Sequence, residues 1–493
     1  MRARRSIMLG MAAGLAGGGP ASAALLSTSD IFSQFNAVVF GSFATTAAVE
    51  GRTVVGGSMT RGASFNTAPG AAGASAFSAL TVYGNQTGSG GYTINHGGGL
   101  TIAGSNAGTF MLNGGGSALI GGSSAGNIAS SGGATSVAVG GSNTGTVNLN
   151  AGGSVSVGGS NTGQVTVNGG PGSVAVIGAT TAPVTLNSGG SVYVGSNSPG
   201  GGISVNGGPG SVTIASGNAA QVTLNNGGSA TIAGNTGNVS MNGGSLTYTG
   251  SKSGNVNLNG GATASKVADV GVTAPDVPGV ALPAFGPTFQ DQMTALSAQL
   301  DALTANSVAR VAGHSITFAA TPDADGRAVF DVDTSLFAPN SAVRIQLNDA
   351  STVIINVNVD SCVVNSCAFA FGSSVNFVNP NGYAERVLWN FTNATGLAFA
   401  NEFGGTVLAT LAAVSNRGAI DGTLVAASYD GSGELHSRPF SGSLTAASPP
   451  ALPVPSATAA PEPSGLAALG VGLGALGWVR RRRGRGKPDA PTD

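Results

Sequence analysis

The side chains best equipped for acid–base chemistry lie near the C-terminal end of the chain. In Glu434-Leu435-His436-Ser437 the carboxylate and the imidazole are two residues apart, so on a β-strand they share one face, and Asp421 precedes them. A carboxylate–histidine set of this kind is what a hydrolase uses for proton transfer. Such an enzyme also needs a nucleophile presented by an elbow, and no Gly-x-Ser-x-Gly sequence lies beside these residues. The expectation is therefore no catalytic residue, and an envelope hydrolase built on His436 and Glu434 stands only as a third reading. A second acidic stretch, Asp323, Asp325, Asp331 and Asp333, carries oxygen ligands of the type calcium takes, but reads first as a solvated loop. Cys362 and Cys367 read as a disulfide closing a small loop in an exported chain, because the nearest histidines that could complete a metal site are His314 and His436. No metal and no cofactor is assigned.

The elements that must position these groups are set by a repeat. Asparagine ends a short strand at Asn95, Asn113, Asn150, Asn168, Asn187, Asn206, Asn225, Asn242 and Asn259, with Ser131 filling the one doubled interval. Each unit of about 18 residues contains two alternating apolar pairs, such as Val155/Val157 then Val165/Val167, separated by glycine turns. The fold class this predicts is all-β: an elongated β-solenoid (β-helix) of about 18-residue coils, regular from 92 to 261, with the paired valines stacked inside. Single coils bury too little to stand alone and are stabilised by their neighbours. The recurring asparagine suits a corner where amides ladder between coils.

Composition narrows the function classes. Of 493 residues 83 are glycine and only 8% are charged, with a net charge of −1, so nucleic acid is not an expected partner. Between Gly51 and Ala268 there is no aspartate or glutamate. That excludes the calcium-binding nonapeptide roll, and it leaves the regular solenoid without carboxylates for glycoside chemistry. Outward positions are small and neutral: Thr166, Thr185, Ser204, Thr223 and Ser240 on one column, Ser156, Ala175, Tyr193, Thr213 and Thr231 on the other.

One helix is predicted over 287–306, from the stripe Phe289, Met293, Leu296, Leu300 and Leu303, with Thr288 and Asp291 as a capping pair, packing along the flank of the solenoid. Residues 310–445 read as further coils or a β cap, and 446–460 as a Pro/Ala-rich linker. At the front, Arg2, Arg4 and Arg5, an apolar core and Ala21-Ser22-Ala23 form a signal peptide over 1–23, with Ala21 and Ala23 flanking the cleavage site.

The last segment, 461–483, orders Pro461-Glu462-Pro463, a short apolar run and Arg480-Arg481-Arg482-Arg483, and resembles the PEP-CTERM sorting tail; residues 484–493 would be a cytoplasmic tail. The resemblance implies an exosortase as processing partner and a transient anchor in the inner membrane. Phe35-Asn36-Ala37-Val38-Val39-Phe40-Gly41, then Val49-Glu50-Gly51-Arg52, with Val387-Leu388-Trp389-Asn390-Phe391 and Ile420-Asp421-Gly422-Thr423, is similar to the choice-of-anchor A family, here over 24–445. The resemblance implies an exported, non-enzymatic protein of the cell surface or extracellular matrix, structural or adhesive, in contact with exopolysaccharide. The alternative is a solenoid that binds ice or another ordered surface.

Overall fold

The computed structural model describes residues 26–70, 75–283, 285, 287–363 and 366–444. The predicted signal peptide and linker, Pro461-Glu462-Pro463 and Arg480 to Arg483 lie outside the described residues. No described helix is long and apolar enough to cross a membrane.

Alternating Val, Ile and Leu make the strands, and the strands stack as a solenoid of parallel rungs. Its large sheet has 22 strands and a second sheet has 11. Named pairings are parallel throughout, apart from the hairpin Ala309–Ala312 with Ser315–Ala319. Corner glycines are needed where rungs come closest. Gly190 has φ +124°, and a Cβ there would stand 2.0 Å from the carbonyl oxygen of Gly172 in the rung below.

The order of rungs is not the order of the chain. The large sheet begins at Arg327–Asp333 and continues through Thr352–Asn358, Val387–Phe391, Thr406–Asn416 and Leu424–Gly431. On that last strand sits the chain's first, Ala37–Val39, in register Ala37↔Leu424, and Thr53–Val55 follows. From there the N-terminal rungs climb to Thr263–Lys266. The C-terminal third is thus the lower stack and the N-terminal half the upper, joined through a seam of backbone hydrogen bonds rather than by consecutive chain.

The covalent link between the stacks is a strap, residues 267–286, and the helix after it. The strap leaves the top rung at Val267, whose amide donates to the Tyr248 carbonyl (2.9 Å), and returns to the level of Tyr83, whose hydroxyl donates to the Pro283 carbonyl. Ten pairing steps separate those levels. At ~4.8 Å per step this is ~48 Å. The sixteen residue steps from 267 to 283 reach ~53 Å when extended, so the strap is nearly taut. Pro275, Pro278 and Pro283 lack the amide that would let it join the sheet.

Two helices finish the rod. Helix α1, Thr28–Gln34, is capped by a Ser27/Asp30 capping box. Helix α2, Pro287–Asp301, buries Phe289, Met293, Leu296 and Leu300 against Val38, Val54, Ile354, Leu388, Leu408 and Val425 on the outer face of the large sheet. It therefore bridges lower and upper strands. The helix stops five residues short of the predicted 306 because Asn306 is taken by the bottom strand. Its Nδ2 donates to the Arg327 carbonyl (3.0 Å), and its Oδ1 accepts from the Val329 amide (2.8 Å).

Asn36 pins the seam. Its Nδ2 donates to the carbonyls of Gly422 (2.8 Å) and His436 (2.9 Å), and its Oδ1 accepts the Gly51 amide (3.0 Å). A Cβ at Gly51 would stand 2.8 Å from the Asn36 Cβ, so glycine is required there. Arg52 donates to the carbonyls of Gln34 and Phe77. Asn36→Ala is expected to cost about 2–4 kcal/mol by leaving buried partners unmet, read as a lowered urea midpoint; an unchanged midpoint would contradict this role.

Candidate functional site

The two broad faces of the upper stack differ in access. The column Ser156, Ala175, Tyr193, Thr213 and Thr231 lies on the large sheet, and there the strap runs over it. Val270, Gly271, Val272, Thr273 and Pro275 close a groove of about 430 Å³ with Ala175, Tyr193, Thr213 and Thr231. The second column stays open. On the 11-stranded sheet each short strand points two apolar residues inward and one outward, and the outward row reads Thr93, Met111, Ala129, Asn148, Thr166, Thr185, Ser204, Thr223, Ser240 and Asn257. No member is charged. The result is a straight, ~4.8 Å-spaced array of hydroxyls and amides.

The repeat asparagines border this face as a ladder. Asn113 donates to Asn95 (3.1 Å) and Ser131 to Asn113 (3.1 Å). Asn168 donates to Asn150 (3.1 Å), Asn187 to Asn168 (2.6 Å), Asn206 to Asn187 (3.1 Å) and Asn225 to Asn206 (2.6 Å). Asn242 and Asn259 pair by backbone in the same column. Each amide donates toward the rung below, which fixes the side chains and keeps the edge of the face regular.

A second ladder is buried, and the sequence reading missed it. Gln86, Asn106, Ser124, Asn143, Asn161, Thr180, Asn197, Asn218 and Thr236 fill one inward column at a third, narrow face held by single bridges. Asn143 donates to Asn161 (2.8 Å), Asn161 to Thr180 (3.3 Å) and Asn197 to Asn218 (2.5 Å). Nδ2 of Asn161 also closes its own turn on the Gly163 carbonyl (2.7 Å). The signal was present in the recurring Gly-Ser-Asn-x-Gly of 104–108, 141–145 and 159–163, which reads as an ordinary turn unless the asparagine is followed down the column.

Below Asn95 the outer column changes character. The pairings Leu435↔Val49↔Phe65 and Phe65↔Ile94 place His436, Glu50, Asn66 and Asn95 in line, with Asp421 beneath His436. His436 Nδ1 lies 2.5 Å from Asp421 Oδ1, and its Nε2 lies 3.0 Å from Glu434 Oε2. Burial opposes the imidazolium, but the hydrogen bonds to Glu434 and Asp421 and the charges of Asp421 and Glu50 outweigh it, so the pKa is raised. Burial, and then the hydrogen bond and charge of Asp421, raise Glu402. With both ring nitrogens held by carboxylates, His436 has none free for a nucleophile, and the Ser437 amide donates to Glu50 (2.8 Å). The cluster locks the seam.

The other sequence candidates lie elsewhere. Cys362 and Cys367 are joined, with sulfurs 2.01 Å apart. Asp323 Oδ1 accepts the amides of Asp325 (3.0 Å) and Arg327 (2.9 Å), while Asp333 accepts from Asn358 (3.0 Å), so the acidic residues serve a turn and a strand end.

Two measurements follow from this geometry. Asn161→Ala is expected to cost about 2–4 kcal/mol, and Asn187→Ala on the outer ladder under about 1 kcal/mol, in chemical denaturation; equal costs would contradict the distinction. Folded His436 and Glu402 hold protons that the unfolded chain releases. Their contribution is therefore complete below the ordinary values of 6.5 and 4.5, and is lost as pH rises through the raised ones. Thermal stability should fall as pH rises above 6.5, and His436→Gln should flatten that slope; an unaltered slope would count against the histidine lock.

No curated protein matches this sequence. Among solved structures, the tapirin C-terminal domain of Caldicellulosiruptor kristjanssonii aligns at 13% identity over 85% of this chain and 96% of that one, with a TM-score of 0.17. A family profile described as "Putative Ice-binding-like adhesive domain" matches residues 28–129 and 184–437. The unmatched 130–183 holds three large-sheet strands, Thr135–Val139, Gly153–Val157 and Gly172–Thr180, which continue the parallel stack between the matched parts. With most of the rod covered on both sides of the seam, the chain belongs to this ice-binding-like adhesive domain family.

Proposed function

We propose that this protein is a non-enzymatic adhesive rod of the cell surface or extracellular matrix, and that the open face of the 11-stranded sheet makes the contact. The observation that carries the reading is the uncharged, evenly spaced outward column, left open on one side of the rod while the strap covers the other. Eleven strands give ~48 Å of such surface. Each hydroxyl or amide contributes little, and attachment comes from summing many weak contacts along a rigid lattice. A neutral polymer rich in hydroxyls, such as an exopolysaccharide, fits that chemistry. It needs no charge from the protein, and it repeats as the face does.

The terminal segments extend the proposal. The signal peptide would export the chain, and the Pro461-Glu462-Pro463 tail with its arginines would deliver it through an exosortase, as expected of a choice-of-anchor A protein. The family supports a second reading, ice or another ordered surface. Against it stands the mixture along the column: Met111, Ala129, Asn148 and Asn257 interrupt the threonines, so no flat single-residue array forms.

A charge in the middle of the face separates these roles from none at all. Thr185→Arg with Thr223→Arg is expected to lower retention on insoluble neutral polysaccharide about tenfold or more in co-sedimentation, with folding intact by circular dichroism. Ser123→Arg, on the narrow face, should leave retention unchanged. Equal retention by all three would exclude this face as the contact. Retention by ice but not polysaccharide, lost in the double variant, would favour the second reading.

A further inference from the structure

Between Arg61 and Asp269 the chain carries two charged residues, Lys252 and Lys266, and both sit in the last turn of the upper stack. Their columns are informative. Lys252 pairs with Thr236 at the top of the buried polar column that begins at Gln86. Lys266 pairs with Tyr248, above Ile232, Ile214 and Val194 in the apolar interior of the large sheet. Both lysines therefore occupy inward-facing positions in a rung with nothing above it among the described residues, and both are exposed there. Lys252 Nζ lies 5.7 Å from the ring centroid of Tyr248, so its stem crosses the end of the core while the ammonium reaches water.

This rung leaves two strands with free edges. Among the described residues, Val256–Asn259 and Thr263–Lys266 are the terminal strands of their sheets and pair on one side only. Every rung of the large sheet is parallel, so this edge offers the pattern that a further rung would accept. The lower end of the rod offers the matching one. Its outermost large-sheet strand, Arg327–Asp333, is covered by Asn306 and Ser307 near Val329, and beside Asp331 and Asp333 an open groove of about 590 Å³ runs past exposed Val308 and Val311. The upper edge of one copy laid on the lower edge of another would be a heterologous contact that does not close and grows into a filament. In the register of the rungs it would also bury two ammonium groups in the core of the joint, without partners of opposite charge facing inward. Inward-pointing charge at a sheet edge is a recognised barrier to such pairing.

We propose that Lys252 and Lys266 are a terminal stop: they seal the upper end of the core and prevent copies of this chain from stacking end to end. The test compares the full chain, a K252T/K266V variant and a K252R/K266R variant by analytical ultracentrifugation and negative-stain microscopy. The native chain and the arginine pair should give no end-to-end species. The neutral pair should form head-to-tail rods, with an association constant raised about a hundredfold or more. A second measurement avoids any folding defect. In a Lys487→Arg background the two lysines are the only side-chain amines, and acylating the folded protein should produce the same end-to-end rods. Neutralised protein that sediments as the native chain does, or joins only side to side, would overturn the proposal, as would end-to-end stacking by the native chain itself.

Discussion

Everything above the lower stack rests on one seam, where Ala37–Val39 is laid on Leu424–Ala426, Phe43–Thr45 on Tyr429–Gly431 and Val49 on Leu435. Without that seam the upper rungs have no floor and the lower rungs no ceiling, because neither stack continues into the other along the chain. Each pairing is short, and the seam is reinforced from three sides. Asn36 ties it to the turns at Gly422 and Gly51. Thr423 Oγ1 donates toward the carbonyls of Phe32 and Phe35. Helix α2 lies across Val38 and Val54 above the seam and Leu408 and Val425 below it. The strap then couples the height of the upper stack to its own reach. With ~5 Å of slack over ~48 Å, one added rung takes up the slack, and each further rung needs about two more residues of strap. A stack that gains several rungs has to lengthen the strap with it.

The same constraint sorts the polar chemistry. A parallel stack places identical positions ~4.8 Å apart, a spacing at which like charges repel and amides bond. The upper stack accordingly has asparagine ladders inside and out, and charge appears only toward its ends: the carboxylate–histidine cluster, Arg52 and Arg61 near the seam and the two lysines at the top. His436 between Asp421 and Glu434 looks like acid–base machinery when read along the chain. In the column it continues the asparagine ladder with a proton-rich lock at the junction of the two stacks. The face left between these ends is neutral because the stacking rule makes it so, and that neutrality suits it to an uncharged polymer.

Much of this was legible in the sequence. The solenoid, its coil length, the inward valines, the helix and its flank position all follow from periods of 2, 3.6 and about 18, which survive any arrangement of rungs. The outward columns were also legible, though not that the strap would cover one of them: residues 267–286 show valines and prolines among small residues with no repeat, and their path depends on where the chain must go next. The seam was hidden for a related reason. Asn36, Glu50, Gly51 and Arg52 stand out as a motif, yet Asn36 and Glu50 find partners at Gly422, His436 and Ser437, and spacing along the chain carries no trace of a contact nearly 400 residues away. The buried asparagine column was missed because Gly-Ser-Asn-x-Gly is what a solvent turn also looks like.

The most direct test uses a reporter already on the proposed contact. Met111 points outward from the open face and is 37% exposed. Hydroxyl-radical footprinting of the protein, free and bound to a neutral polysaccharide that retains it, reads its oxidation by mass spectrometry. Met111 should be protected on binding, while Leu411, 50% exposed on the lower stack's long strand Thr406–Asn416, should react as before. Unchanged oxidation of Met111 in protein that is fully bound, with protection elsewhere, would contradict attachment through this face.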